Sequence, residues 1–230
     1  MAGSEIKKFK RNPGVVLILD KLITPDKLLL FRDQGVDLLE LRVDLIDAPF
    51  SDILSFLKSV PSEVRLPVIG TIRETKSNSH DRVNMFKQIM PYLDYVDIEL
   101  GSPISEQVVR AAEDTIVMVS EHDFVKTPDL KGLAEIVNRS VEQGAQVVKI
   151  AVMANCSEDV ARLLTFTNKC DIPLVSIAMG EHGKVSRVIA PLFDSLFTYG
   201  FEGVAVAPGQ ISVDKLIEEL DFYFPARKGN

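Results

Sequence analysis

Eight short apolar runs, each followed by a longer amphipathic stretch, set the rhythm of this chain. The runs lie at 14–19, 36–43, 66–72, 94–99, 115–120, 146–152, 173–178 and 201–206. Helical patterning falls near 25–34, 49–59, 80–92, 103–113, 128–143, 156–169, 186–199 and 212–222. Within 128–143, Leu130, Leu133, Ile136, Val137 and Val141 recur at helical spacing. Helix signals punctuate the rhythm. Thr24-Pro25 and Thr127-Pro128 each offer a cap followed by proline at the first helical position. Ser157 and Ser212 are candidate caps, and Gly35, Gly144 and Gly200 suit helix ends. Eight strand–helix units in 230 residues predict an α/β chain folded as a single-domain (β/α)8 TIM barrel over residues 1–230. An open doubly wound sheet is the alternative, but it commonly carries a glycine-rich first turn, and none follows the first run. Residues 5–11 read as a short strand or hairpin at the barrel bottom.

The net charge of −7 argues against a general nucleic-acid binder, which needs a basic surface. It leaves room for small anionic substrates held by local arginines. No apolar run approaches the ~18 residues of a membrane span, and 15–19 is too short for a signal-peptide core. A cytoplasmic location is expected. Cys156 and Cys170 read as packing residues, and no histidine or cysteine spacing suggests a metal.

The run Val147-Val148-Lys149-Ile150-Ala151-Val152 contains the chain's most informative residue. Side chains alternate along a strand, so Lys149 shares a face with Val147 and Ala151. A cation among apolar neighbours is costly unless it is paired or has lost its proton. A desolvated, neutral amine attacks carbonyl carbon, so an imine-forming lysine inside a barrel is one reading. An edge-strand lysine facing solvent is the other, and the segment alone leaves both open.

The other strands bear on that choice. In Leu38-Leu39-Glu40-Leu41-Arg42-Val43-Asp44, the apolar set Leu39, Leu41 and Val43 takes one face, and Glu40, Arg42 and Asp44 take the other. Arg73 follows the third strand. The fourth presents Asp97 and Glu99, and the fifth presents Ser120 with His122 just past its end. Arg187 lies in a polar loop before a helix, and Ala207-Pro208-Gly209-Gln210 forms a turn that can meet a carboxylate. Successive strands from the second to the sixth thus place charged or titratable groups near their C-terminal ends, where barrel active sites form.

These pieces resemble type I 3-dehydroquinate dehydratase, the Schiff-base lyase of the shikimate pathway. They are Glu40-Leu41-Arg42-Val43-Asp44, Gly70-Thr71-Ile72-Arg73, Val96-Asp97-Ile98-Glu99, Ser120-Glu121-His122-Asp123-Phe124, Val148-Lys149-Ile150-Ala151-Val152-Met153, Ser186-Arg187 and Ala207-Pro208-Gly209-Gln210, in family order. The resemblance implies syn-elimination of water from 3-dehydroquinate with no metal or organic cofactor. By the same resemblance Lys149 forms the imine and His122 is the general acid/base. Glu40, Arg42 and Arg73 bind substrate, Arg187 and Gln210 hold its carboxylate, and Asp97 and Glu99 support the network. A homodimer is expected. Two positions depart from many family members: Ser77 stands where a glutamate precedes Gly-Gly, with Glu74 a candidate substitute, and Val206 stands where a serine is common. Alternatives on the same barrel are another class I aldolase-type lyase or a non-catalytic small-anion binder.

Overall fold

The computed structural model describes residues 13–203 and 208–225. The segment 5–11 and Val206 lie outside the described residues. Strands β1 (Gly14–Leu19), β2 (Leu38–Arg42), β3 (Val68–Thr71), β4 (Tyr95–Glu99), β5 (Ile116–Asp123), β6 (Val147–Met153), β7 (Leu174–Met179) and β8 (Phe197–Phe201) alternate with helices. These are α1 (Pro25–Gln34), α2 (Phe50–Glu63), α3 (Arg82–Ile89), α4 (Ser105–Ala111), α5 (Leu130–Glu142), α6 (Ser157–Lys169), α7 (Ser186–Ile189) and α8 (Val213–Tyr223). A two-residue strand, β9 (Ile211–Ser212), pairs with β8.

All the strands are parallel, in the order β7-β6-β5-β4-β3-β2-β1-β8-β9. The ring closes where Leu174 bridges to Ser195 and the Leu196 N–H donates to the Leu174 carbonyl at 2.9 Å. The architecture is therefore the expected (β/α)8 barrel. Parallel strands covered on both faces read as near-continuous apolar runs, which is why the rhythm is visible in the sequence.

Strand alternation sorts the side chains into two compartments. Leu39, Leu41 and Val43 of β2 and its extension pack outward against the helices. Val148, Ile150 and Val152 of β6 do the same on the other side of the ring. The barrel interior holds Val16, Leu38, Ile69, Tyr95, Met118 and Val147. There the Tyr95 and Phe197 rings meet edge to face, with centroids 5.7 Å apart. Toward the C-terminal strand ends this apolar plug gives way to buried Glu40, Thr71, Asp97, Ser120 and Lys149.

Several expected boundaries move. The eighth strand is Phe197–Phe201 rather than 201–206, and the helix expected at 186–199 is only Ser186–Ile189 followed by a 3-10 turn, Ala190–Phe193. Pro191 cannot donate within a helix, and Asp194 is left-handed (φ 67°), so the chain turns into the strand early. Pro91 similarly diverts the end of α3 into the 3-10 turn Met90–Tyr92. Thr24 and Pro25 open α1 as expected. The α5 cap is Asp129, whose carboxylate accepts from the Gly132 N–H at 2.7 Å, while Thr127 Oγ1 donates to the Met153 carbonyl at 2.8 Å. Cys156, not Ser157, occupies the α6 cap position. His122 lies within β5 rather than beyond it.

Gly200 is not a helix end. It is a strand residue, and a Cβ there would stand 2.7 Å from the Val213 Cα at the start of α8. Because the obstacle is backbone, the helix would have to shift. Gly200→Ala is expected to cost about 1–3 kcal/mol. Urea unfolding should show a lower midpoint at unchanged slope; an unchanged midpoint would contradict this packing.

Candidate active site

The polar layer is built strand by strand. Glu40 and Lys149 point inward from β2 and β6, and Asp97 from β4 lies between them in the ring. Lys149 Nζ lies 3.2 Å from Asp97 Oδ2 and 3.4 Å from both Glu40 oxygens. It also sits over the Tyr199 ring, 4.3 Å from the centroid. Lys149 is 5% exposed, which rules out the solvent-facing edge-strand reading. Its strand neighbours are apolar, as the sequence suggests, but its cross-barrel neighbours are carboxylates. Pairing across the ring offsets the desolvation that those strand neighbours impose.

Each carboxylate is itself fixed. Thr71 Oγ1 donates to Glu40 Oε1 at 2.6 Å, and Ser120 Oγ donates to Asp97 Oδ1 at 2.6 Å. Arg73 Nη2 reaches the same Asp97 oxygen at 2.9 Å and Ser120 Oγ at 3.0 Å. Burial works against the Asp97 charge. Arg73, Lys149 and the Ser120 hydroxyl outweigh it and hold Asp97 well below the usual carboxylate range. Burial likewise opposes the Arg73 charge, and Asp97, Glu99 and Glu40 overcome it, pushing that guanidinium up.

Above this floor lies a cavity of about 380 Å³. Glu40, Arg42, Arg73, Glu99, His122 and Lys149 line it from β2 to β6, and Arg187 and Gln210 line its far side. Ile177, Met179 and Phe124 give it apolar walls. Every residue expected at the site lines this cavity except Asp97, which is fully buried beneath it. Arg42 is clamped bidentately by Asp44, at 2.7 and 3.1 Å. His122 stacks loosely on Phe124, with centroids 6.1 Å apart. Burial, then the positive charges of Arg73 and Lys149, pull the His122 imidazole down to about 3, with Asp97 only partly opposing. His122 is therefore neutral at ordinary pH.

Arg187 differs from the other arginines. Its Nε donates to the Gly209 carbonyl at 2.7 Å and its Nη2 to Pro208 at 3.3 Å. Among the described residues no carboxylate forms an ion pair with it. Burial alone pulls it down to about 10. A buried cation without a protein carboxylate on a cavity wall has the chemistry to receive an anion.

Sequence reasoning misses two members of the site. Tyr199 falls inside the helix expected at 186–199, which hides its inward face; the F-T-Y alternation from Phe197 is the available signal. Arg82 reads as an ordinary helix residue, yet it is 2% exposed and pairs with Glu99. The two loop residues set against the family pattern lie away from the cavity. Ser77 is exposed and bonds Thr75 Oγ1 at 2.9 Å. Glu74 is half-exposed, does not line the cavity, and pairs with Arg82 at 3.7 Å.

A family model described as Type I 3-dehydroquinase matches residues 25–226. A 3-dehydroquinate dehydratase from Methanocella arvoryzae is 40% identical over 196 residues, covering 81% of this chain and 87% of that protein. The crystal structure of 3-dehydroquinate dehydratase from Aquifex aeolicus VF5 is similar at a TM-score of 0.79 and 29% identity, covering 92% of this chain and 99% of its own. The enzyme of the same name from Geobacillus kaustophilus HTA426 also gives 0.79, at 26% identity, covering 91% and 90% of the two chains. With its barrel, its buried lysine and its matched length, the chain belongs to the type I 3-dehydroquinase family.

Proposed function

We propose that this chain dehydrates 3-dehydroquinate to 3-dehydroshikimate through an imine on Lys149, with His122 as general acid/base. The observation that carries the reading is the position of Lys149 Nζ on the floor of the cavity, between two carboxylates and beside neutral His122. The proposal includes one domain spanning 1–230 and a homodimer working in the cytoplasm, both supported by the family resemblance.

The geometry supports this chemistry. The amine, once it has passed a proton to a neighbouring base, adds to the substrate ketone; the carbinolamine loses water to give a protonated imine. That cation takes the place of the lysine charge already facing Glu40, Asp97 and the Tyr199 ring, so the same preorganised cage stabilises it. The imine withdraws electrons from the adjacent carbon. Neutral His122 removes the proton there, giving an enamine, and returns a proton to the departing hydroxyl. Hydrolysis then consumes the water that imine formation released and frees Lys149. The net change is loss of one water from substrate. Arg187 and Gln210 hold the substrate carboxylate, while Glu40, Arg42 and Arg73 meet its hydroxyls.

Reduction with borohydride in the presence of 3-dehydroquinate tests this. Peptide mass spectrometry should place the adduct on Lys149, with a conjugated enone carboxylate appearing in the ultraviolet when reductant is omitted. No adduct would end the imine reading. An adduct without the enone would favour an aldolase-type lyase, and binding without either would favour a non-catalytic barrel. In His122→Ala, turnover should collapse, by about 100-fold or more, while trapped imine accumulates; near-normal turnover would remove His122 from the acid/base role.

His122 also makes a stability prediction. Its folded value of about 3 lies below the unfolded value of about 6.5, so the unfolded chain binds more protons between them. Stability should therefore fall as pH drops from about 6.5 toward 3. Urea unfolding at pH 7 and pH 5 should show His122→Gln losing roughly 1–2 kcal/mol less than the parent chain over that interval. Equal losses in both would show that His122 is not held neutral.

A further inference from the structure

Arg82 is a costly residue in an odd position. It is the first residue of α3, where the helix dipole disfavours a cation, and it is 2% exposed. Its desolvation is offset by three hydrogen-bonding groups and by the Glu74 carboxylate, 3.7 Å from Nη1. Arg82 Nε donates to the Ile72 carbonyl at 2.7 Å, Nη1 to Ser102 Oγ at 3.5 Å, and Nη2 makes a very close pair with Glu99 Oε2. Arg82 is not among the residues lining the cavity. Its partner Glu99, however, does line it.

The same Glu99 oxygen stands 3.5 Å from Arg73 Nη1, an ion-pair distance too long for a good hydrogen bond. Arg73 Nη1 is buried and has no hydrogen-bond acceptor among the described residues. A buried guanidinium donor beside a carboxylate would ordinarily close on it. Here that same carboxylate oxygen is already engaged by Arg82.

We infer that Arg82 is a positioning residue that holds Glu99 off Arg73, leaving buried Arg73 Nη1 without a protein acceptor so that an oxygen of the bound substrate can take that place. This rests on the dehydratase reading of the cavity. Arg82 never touches the substrate. It acts on how tightly the ground state and the transition state are both bound, which moves KM more than kcat. Without Arg82, the substrate must break an Arg73–Glu99 hydrogen bond before it can use the same donor. The device also couples the end of β3, through Ile72, to the end of β4, through Glu99.

The test compares the parent chain with Arg82→Met, Arg82→Lys and the double variant Arg82→Met/Glu99→Gln, by crystal structure and by steady-state kinetics on 3-dehydroquinate. In Arg82→Met, Arg73 Nη1 and Glu99 should close to below about 3.2 Å. KM should rise about tenfold, the effect of losing one charge-assisted hydrogen bond, with kcat changed less than about threefold. Arg82→Lys should fall between. The double variant should recover most of the KM increase, because a neutral amide in place of the Glu99 carboxylate accepts from Arg73 without charge assistance and yields to the substrate more readily. An unchanged Arg73–Glu99 separation, or a double variant as impaired as the single one, would reduce Arg82 to a brace between strands and overturn the inference. Should Arg82→Met fail to fold, Arg82→Lys with and without Glu99→Gln makes the same comparison. A parent chain without dehydratase turnover would sink the functional reading instead, and the crystallographic separation would still decide the role of Arg82.

Discussion

Everything at the mouth of this barrel depends on burying Lys149 Nζ between Asp97 and Glu40. A lysine amine taken out of water needs compensation, and strand β6 offers none on its own face. The compensation comes across the barrel, from residues more than fifty positions away in sequence. Those carboxylates need partners in turn, which brings in Thr71, Ser120 and Arg73. Arg73 brings in Glu99, and Glu99 brings in Arg82. Removing one member would leave a buried charge unbalanced, so the network fixes its own geometry. That rigidity is what a reaction passing through a cationic imine requires, because the cage must be in place before the charge changes carriers.

Layering lets the barrel hold this network. Below, Val16, Leu38, Ile69, Tyr95 and Phe197 fill the interior with an apolar plug. Above, the charged groups face one another rather than hydrocarbon. The transition occurs along single strands: in β6 the inward set runs Val147, Lys149, Ala151, and in β2 it runs Leu38, Glu40, Arg42. Arg187 stands apart, uncompensated by protein carboxylates among the described residues, on the wall opposite the strands that carry the network. The pocket thus separates a balanced charge network from an arginine that no protein carboxylate pairs among the described residues.

Much of this is legible in the sequence because strand periodicity is a hard constraint. Once β2 is read as a strand, Glu40 and Arg42 have to share a face, and in a closed barrel that face is the interior. The same logic locates Arg73, Asp97, Glu99, His122 and Lys149. It fails where local chemistry overrides periodicity. Pro191 and Asp194 stop a helix whose apolar pattern continues, so β8 begins at Phe197 and Tyr199 emerges as an inward residue. Arg82 is hidden for a different reason. A polar residue on a surface helix looks ordinary, and its burial is a tertiary fact: the loop 73–81 folds it onto Ile72 and Glu99. The segment around Lys149 shows only apolar neighbours, and its partners emerge only when the alternation of the other strands is read with it.

One covalent bond stands at the centre of the proposed chemistry. A crystal structure of the chain with 3-dehydroquinate, captured at low temperature, would examine it most directly. The expected result is continuous density from Lys149 Nζ to a ring carbon, with the substrate carboxylate against Arg187 and an oxygen at Arg73 Nη1. Substrate bound without that bond, with Lys149 still paired to Asp97 and Glu40 and the carboxylate away from Arg187, would contradict it.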